Sequence, residues 1–406
     1  MFKKLTENFR PNTGAAMFFT SILLWGVAFG CFSAVLNNYL ADVRSINAFE
    51  RGVLEFFREM PGLLLVFIIA LMHRFSDWKI LKIGTLIAMV GIAGLLFTAD
   101  KLLITALIMI WSTGEHIMMP VRSSITMRIA QDGKLGSALG MIVGAMNAGT
   151  VTGSVIAAGI FYLGVHQLQM NQVTLYNIVW GLILVLLACC LAAIILAKGD
   201  ENVKTKRPAL YFHRKYNKFY ALELFYGARK QVFITFAPYV LILNYGMSTS
   251  TMAILMGICA LVNIFCGPLI GRLTDKIGYK NVMIYDTVVL FFVCLIYGYA
   301  DSLFVKNIAY IVVCLNFLLD AVISTTSMAT NVYVRELSDS KEEVTATLST
   351  GISINHLISI LAALAGGWIW KTWGTGALFG LAALMAVANS AFALTLPKPG
   401  TIRKAG

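Results

Sequence analysis

Glu115 and His116 stand side by side inside an apolar run long enough to cross a bilayer, and Arg122 follows seven residues later on the same helical face. An acid beside an imidazole in apolar surroundings is suited to carrying a proton. Asp320 lies in the middle of a second apolar run, and Asn355-His356 in a third. We therefore read Glu115, His116, Asp320 and His356 as proton-coupling candidates, with sodium left open as the ion through Asp320 and Asn355. Each histidine also fits a buried imidazole that only ties helices together.

The cations within such runs are Arg58, Arg122, Arg229 and Lys230. Arg229 and Lys230 are adjacent, so on a helix they face different directions and at least one faces the interior. An arginine matches a planar carboxylate or a phosphate group. These four, with the amides of Asn147 and Asn355, are the substrate-binding candidates, and the substrate they imply is a small organic anion bearing a carboxylate or phosphate. A neutral sugar would want more amides and stacking aromatics at mid-depth than Trp25, Trp111 and Asn147 supply. Export of a lipophilic compound would favour an apolar cavity with an unpaired acid. Both stay as alternatives.

Arg51, Glu55, Arg58 and Glu59 recur at the three- and four-residue spacing that gathers side chains on one helical face. They read equally as a salt-bridge ladder and as part of a polar pocket beside a kink at Pro61.

What must position these residues is a membrane. Of the 406 residues, 58% are hydrophobic and only 13% charged, against about a quarter charged in soluble domains; mean hydropathy is +0.78. A charge at the centre of a membrane helix costs about 2.5–3.5 kcal/mol, so those retained face the interior, pair, or carry the function. The seven cysteines (Cys31, Cys189, Cys190, Cys259, Cys266, Cys294, Cys314) all fall in apolar runs with no paired spacing, which implies neither disulfide nor zinc site. We expect no metal and no cofactor. Paired-histidine metal motifs, a nucleophile elbow and a phosphate-cradling loop are missing from the sequence, which leaves an intramembrane enzyme or a transport-derived sensor as distant readings only.

Apolar blocks recur about every 30 to 35 residues, as helices of about 20 residues require. The spans fall near 17–40, 49–72, 80–99, 102–128, 136–163, 173–197, 219–243, 250–270, 282–300, 304–333, 344–370 and 374–396. Lys3, Lys4 and Arg10 precede a first segment too long for a secretory signal, so it is a retained helix. Lysines and arginines crowd alternate loops, which places both termini on the cytoplasmic side of the inner membrane and accounts for the net charge of +12 without nucleic acid. The chain divides into a six-helix bundle over 1–197, a basic cytoplasmic linker over 198–218 and a second six-helix bundle over 219–406. Gly136, Gly140 and Gly144, with Gly149 and Gly153, predict close helix packing along span five.

The loop after span eight reads Gly271-Arg272-Leu273-Thr274-Asp275-Lys276-Ile277-Gly278-Tyr279-Lys280. It resembles the loop signature of the major facilitator superfamily: Gly, three residues, Asp, a basic residue, one residue, Gly, then basic residues. Gly271, Asp275, Lys276, Gly278 and Lys280 match. The loop after span two, His73 to Lys82, repeats it with Asp77 on Asp275, 198 residues apart (275 minus 77), Arg74 on Arg272 and Lys82 on Lys280, but without the glycines.

The resemblance implies an all-α polytopic membrane protein with two pseudo-symmetric six-helix bundles, working as a monomeric secondary transporter by alternating access. It implies that spans one, four, seven and ten line the cavity. It also makes Gly271, Arg272, Asp275, Lys276, Gly278, Lys280 and Asp77 a cytoplasmic gate, expected to be stronger in the second copy. Span five lacks the Gly-Pro pair of the superfamily's antiport signature, which argues against drug:proton antiport. The offset also sets Arg122 opposite Asp320, pointing to a contact between them. The partners are a small-molecule substrate, protons or sodium, and the lipid bilayer.

Overall fold

The computed structural model describes residues 8–11, 14–72, 74–198 and 211–399. Lys3, Lys4, His73, most of the linker with Lys204, Lys206 and Arg207, and Arg403 and Lys404 lie outside the described residues. Among those described the fold is helical, with no strand beyond an isolated bridge between Phe9 and Ala130.

The helices are α1 (Ala15–Asn38), α2 (Ala48–Leu63), α3 (Asp77–Leu95), α4 (Lys101–Ile129), α5 (Leu135–His166), α6 (Gln172–Leu196), α7 (Asn217–Tyr239), α8 (Thr249–Ile277), α9 (Tyr279–Leu303) and α10 (Lys306–Ser324). Lys341–Leu394 follows as 54 residues of helix interrupted at Gly374. Unbroken, it would run for about 80 Å, far beyond one bilayer crossing. Gly374 takes φ 83, a left-handed value that suits glycine, and divides it into α11 (341–373) and α12 (375–394). Starts are set by side-chain caps: Ser76 accepts from the Lys79 N–H, Asp100 from Leu103, Asn171 from Val173 and Ser340 from Glu343.

Among the described residues, nine helical segments are long and apolar enough to cross a membrane unaided, counting 343–394 once. Charges keep α2 and α7 from qualifying alone. With both and the division at Gly374, the chain makes the twelve crossings read from the sequence. The second of them breaks at Leu64, three residues past Pro61, and resumes as Leu65–Leu71. The tenth continues through a tight turn at Thr325–Ser327 into Met328–Leu337.

The chain packs as two compact units. One comprises residues 1–45, 64–207 and 248–261; the other comprises 46–63, 208–247 and 262–406. Each unit thus takes one segment from the other half of the sequence, and the two borrowed segments occupy corresponding places. Both α1 and α7 end in a π-helical turn, Tyr39–Val43 and Val240–Asn244. A left-handed residue follows each, Ser45 and Gly246, 201 apart (246 minus 45). The internal repeat legible in the loops is therefore present in the backbone, with a three-residue difference in offset.

In the first unit α1 lies against α5 at backbone contact. A Cβ at Gly30 would fall 2.2 Å from the Thr150 carbonyl oxygen, and one at Gly153 would fall 2.1 Å from that of Val27. Gly26 and Gly149 face each other in the same way. Around Gly136, Gly140 and Gly144 a Cβ would meet nothing within 4 Å. The glycine steps expected to pack along span five are therefore not one surface: the close approach is confined to Gly149 and Gly153.

In the second unit residues 46–63 lie along α11, with Gly52 against the Ala363 carbonyl and the Gly367 backbone. Tyr216, Phe219, Tyr279, Tyr333 and Leu396 bury one end of the unit.

Candidate functional site

In the first unit the polar residues gather on α4. His116 is buried, and its Nδ1 donates to the Ser112 carbonyl oxygen at 2.8 Å, one turn back. Glu115 is half-buried. Arg122 is buried, with its guanidinium 4.5 Å from the centroid of the Trp25 ring. Trp25 in turn stacks on Trp111, 5.2 Å away at 5°. The hydrogen-bond contact recorded for the Arg122 guanidinium is Met118 Sδ at 3.7 Å, and it has no ion pair among the described residues. A cation held on an aromatic face with no carboxylate is desolvated yet electrostatically unanswered. Asn147, on α5, is half-buried.

Farther along α4, Ser124 donates to Asp77 Oδ2 at 2.6 Å and Arg128 Nη1 lies 3.8 Å from the same oxygen. Asp77 is fully buried. Its counterpart Asp275 is exposed, as are Arg272 and Lys276. Gly278 has φ 83, and Lys280 Nζ donates to the carbonyls of Leu394 and Leu396 at 2.6 and 2.7 Å, tying α9 to the end of α12. The copy whose aspartate is engaged with a neighbouring helix is thus the first, although the second carries the better-preserved signature. The glycines shape the backbone, and they do not decide which carboxylate finds a partner.

In the second unit four of the five charges of α2, Arg51, Glu55, Arg58 and Glu59, form one buried network. Glu55, fully buried, receives Arg51 Nη1 at 2.6 Å and two bonds from Arg58, at 2.8 and 2.5 Å. Arg58 also reaches Glu59 at 2.6 Å. Gln231 Nε2 of α7 donates to Glu55 at 2.8 Å, and His356 Nδ1 of α11 donates to Glu59 at 2.9 Å. Gly62 makes room for that imidazole: a Cβ there would sit 2.6 Å from its Cε1. Two guanidinium groups face two carboxylates, so the network is balanced with His356 neutral.

Arg229 lies between two carboxylates, with Nη1 3.2 Å from Asp286 Oδ2 and Nη2 3.5 Å from Asp320 Oδ1. Thr326 donates to Asp286 at 2.6 Å. Glu223 receives Asn355 Nδ2 at 3.2 Å and Thr330 at 3.4 Å. Lys230 is half-buried.

The sequence thus located most of these residues without their partners. Asp320 meets Arg229 inside its own unit, where the sequence offset had set it opposite Arg122. Gln231, Thr330, Ser124 and above all Asp286 were passed over. Asp286 sits in α9, outside the four spans expected to line the cavity; the signal was there, an acid eight residues into an apolar helix.

The comparisons agree with this architecture. The model of the Major Facilitator Superfamily matches residues 219–406. No curated protein matches the chain. Among solved structures, the nucleoside transporter NupG aligns at a TM-score of 0.69 with 13% identity, covering 95% of this chain and 100% of that one. A D-xylose-proton symporter aligns at 0.73 with 13% identity, over 94% and 98%. A POT family transporter in complex with 5-aminolevulinic acid aligns at 0.73 with 12% identity, over 95% and 96%. Residues 219–406 thus match the Major Facilitator Superfamily by sequence, and the whole chain shares the fold of the aligned transporters. It is an integral, multi-pass membrane protein.

Proposed function

We propose that the protein carries a small organic anion across the cytoplasmic membrane in symport with protons, with both termini cytoplasmic, and that Arg122 is the anion anchor. The observation that carries this reading is the difference between two buried arginines. Arg229 already faces two carboxylates, whereas Arg122 has none and rests on Trp25. An unanswered guanidinium in a low-dielectric interior is where a carboxylate or phosphate gains most, because it supplies the missing charge and paired acceptors. Arg58 and Arg229 then serve by holding carboxylates in place, and Asn147, Lys230 and Asn355 remain the supporting polar groups.

Proton coupling falls to Glu115 and to Asp320, the acids that the arginines do not fully satisfy. His116 and His356 orient their neighbours through the Ser112 carbonyl and Glu59. The cytoplasmic gate comprises Asp77 with Ser124 and Arg128, and the loop Gly271 to Lys280. Among the structural neighbours, one is named as a proton symporter and another is in complex with a carboxylic acid, which fits the same chemistry.

Counterflow in proteoliposomes tests the reading. Preloaded with a panel of monocarboxylates, dicarboxylates, sugar phosphates, neutral sugars and lipophilic cations, vesicles should exchange a labelled anion and not the neutral or cationic solutes. Exchange restricted to a sugar would replace the anion with the neutral-sugar alternative.

A further inference from the structure

The membrane interior of the second unit holds five carboxylates (Glu55, Glu59, Glu223, Asp286, Asp320) and four permanent cations (Arg51, Arg58, Arg229, Lys230). Glu55 and Glu59 are matched by Arg51 and Arg58 at hydrogen-bond distance. Glu223 stands seven residues before Lys230, on the same face of α7. Asp286 and Asp320 share the single Arg229, which leaves one negative charge of this group without a cation of its own. Charges at this depth are kept balanced because an unanswered one is expensive.

Three polar atoms here support the same conclusion. Arg229 is 8% exposed and its Nη2 makes no hydrogen bond among the described residues; Asp286 Oδ1 is buried and likewise lacks a partner. Arg229 also lines a small cavity between α7, α9 and α12 with Phe225, Cys294 and Asn389, and the Asn389 Oδ1 atom is a third buried group without a partner. Arg229, whose Nη2 is answered by Asp320 at ion-pair distance only, thus borders a cavity in which the Asn389 carbonyl has no hydrogen-bond partner among the described residues.

We infer that Asp286 and Asp320 hold one proton between them, with Arg229 as the fixed charge that lets either carboxylate release it, and that Asp286 is a coupling residue equal in standing to Asp320. The triad is electrically neutral when the proton is bound and carries one negative charge when it is not. The titratable and charged groups around it are Arg229, Tyr226 and Glu223 of α7, Cys294 of α9 and Asp320 of α10. Thr326 holds the other oxygen of Asp286. This rests on the proton-coupled reading above and adds its place and stoichiometry.

The test uses the proton itself as the probe. Infrared difference spectra of the purified full-length protein in lipid, taken from alkaline to acid pH, should show the carbonyl stretch of one protonated carboxyl besides any band that Glu115→Gln removes. The band should vanish in Asp286→Asn and in Asp320→Asn, because one amide leaves the triad neutral without a proton. Asp286→Glu should keep the band at a shifted position, which separates loss of the acid from loss of the fold. Thermal melting should stay close to wild type in either single Asn variant and fall in the double variant, where Arg229 has lost both partners. If wild type shows no titrating carboxyl, the proton-coupled reading fails and this inference with it. A wild-type band that persists in Asp286→Asn overturns this inference alone, as does a band that responds to sodium and not to pH.

Discussion

Arg122 lies over the Trp25 ring at 4.5 Å with no carboxylate beside it, in a unit whose α4 carries Glu115 a full seven residues away. Replacing it with Gln should remove the charge-assisted hydrogen bonds to an anion, each about 1.5–3 kcal/mol. One such bond corresponds to a rise of roughly ten- to hundred-fold in apparent KM. Arg122→Lys keeps the charge but loses the planar fork and the stacking, and should recover only part of the affinity. Concentration-dependent uptake of the labelled anion checks both. Folding should survive in both variants, since no ion pair is broken.

Glu55 is the opposite case, an acid whose removal takes a carboxylate from two guanidinium groups. Glu55→Gln should lower stability by about 3–5 kcal/mol, because Arg51 and Arg58 lose the carboxylate they share and Arg58 is left with Glu59. Thermal melting of the purified protein reads this directly. Adding Arg51→Met to Glu55→Gln should restore part of the loss.

Helix contact in the first unit makes a matched pair of glycine substitutions informative. At Gly153 a methyl group would sit 2.1 Å from the Val27 carbonyl oxygen, so Gly153→Ala must push α1 from α5, at about 1–3 kcal/mol. At Gly140 nothing lies within 4 Å, and Gly140→Ala should be neutral or stabilising by about 0.5–1 kcal/mol. Melting temperatures of the two variants should move apart.

The two copies of the loop aspartate differ in their surroundings. Asp77 is buried against Ser124 and Arg128, while Asp275 is exposed. Asp77→Asn should therefore slow exchange more than Asp275→Asn, and neither should alter which solutes are exchanged. Initial rates of counterflow with the solute panel decide this.

The sequence carried the architecture because membrane spans and the internal repeat are written in one-dimensional patterns of apolar runs and basic loops. It also carried the candidate residues whose cost is visible in isolation, such as Arg122, Asp320 and His356. What it could not carry was pairing. Glu59 and His356 are 297 residues apart in sequence, and Arg229 and Asp286 are 57 apart; no spacing rule joins them. Nor could it show the surroundings of the two loop aspartates, since a motif's completeness says nothing of whether its carboxylate is buried beside an arginine. Gly140 and Gly153 likewise read alike until α1 is seen against only one of them.

The central claim is that Arg122 binds an anion whose entry is driven by protons. In proteoliposomes with an acid exterior, wild-type protein should accumulate a labelled organic anion against its gradient, collapse of the pH difference should abolish accumulation, and Arg122→Gln should reduce uptake at least tenfold at low anion concentration. Accumulation of a neutral sugar or a lipophilic cation, undiminished in Arg122→Gln, would contradict it.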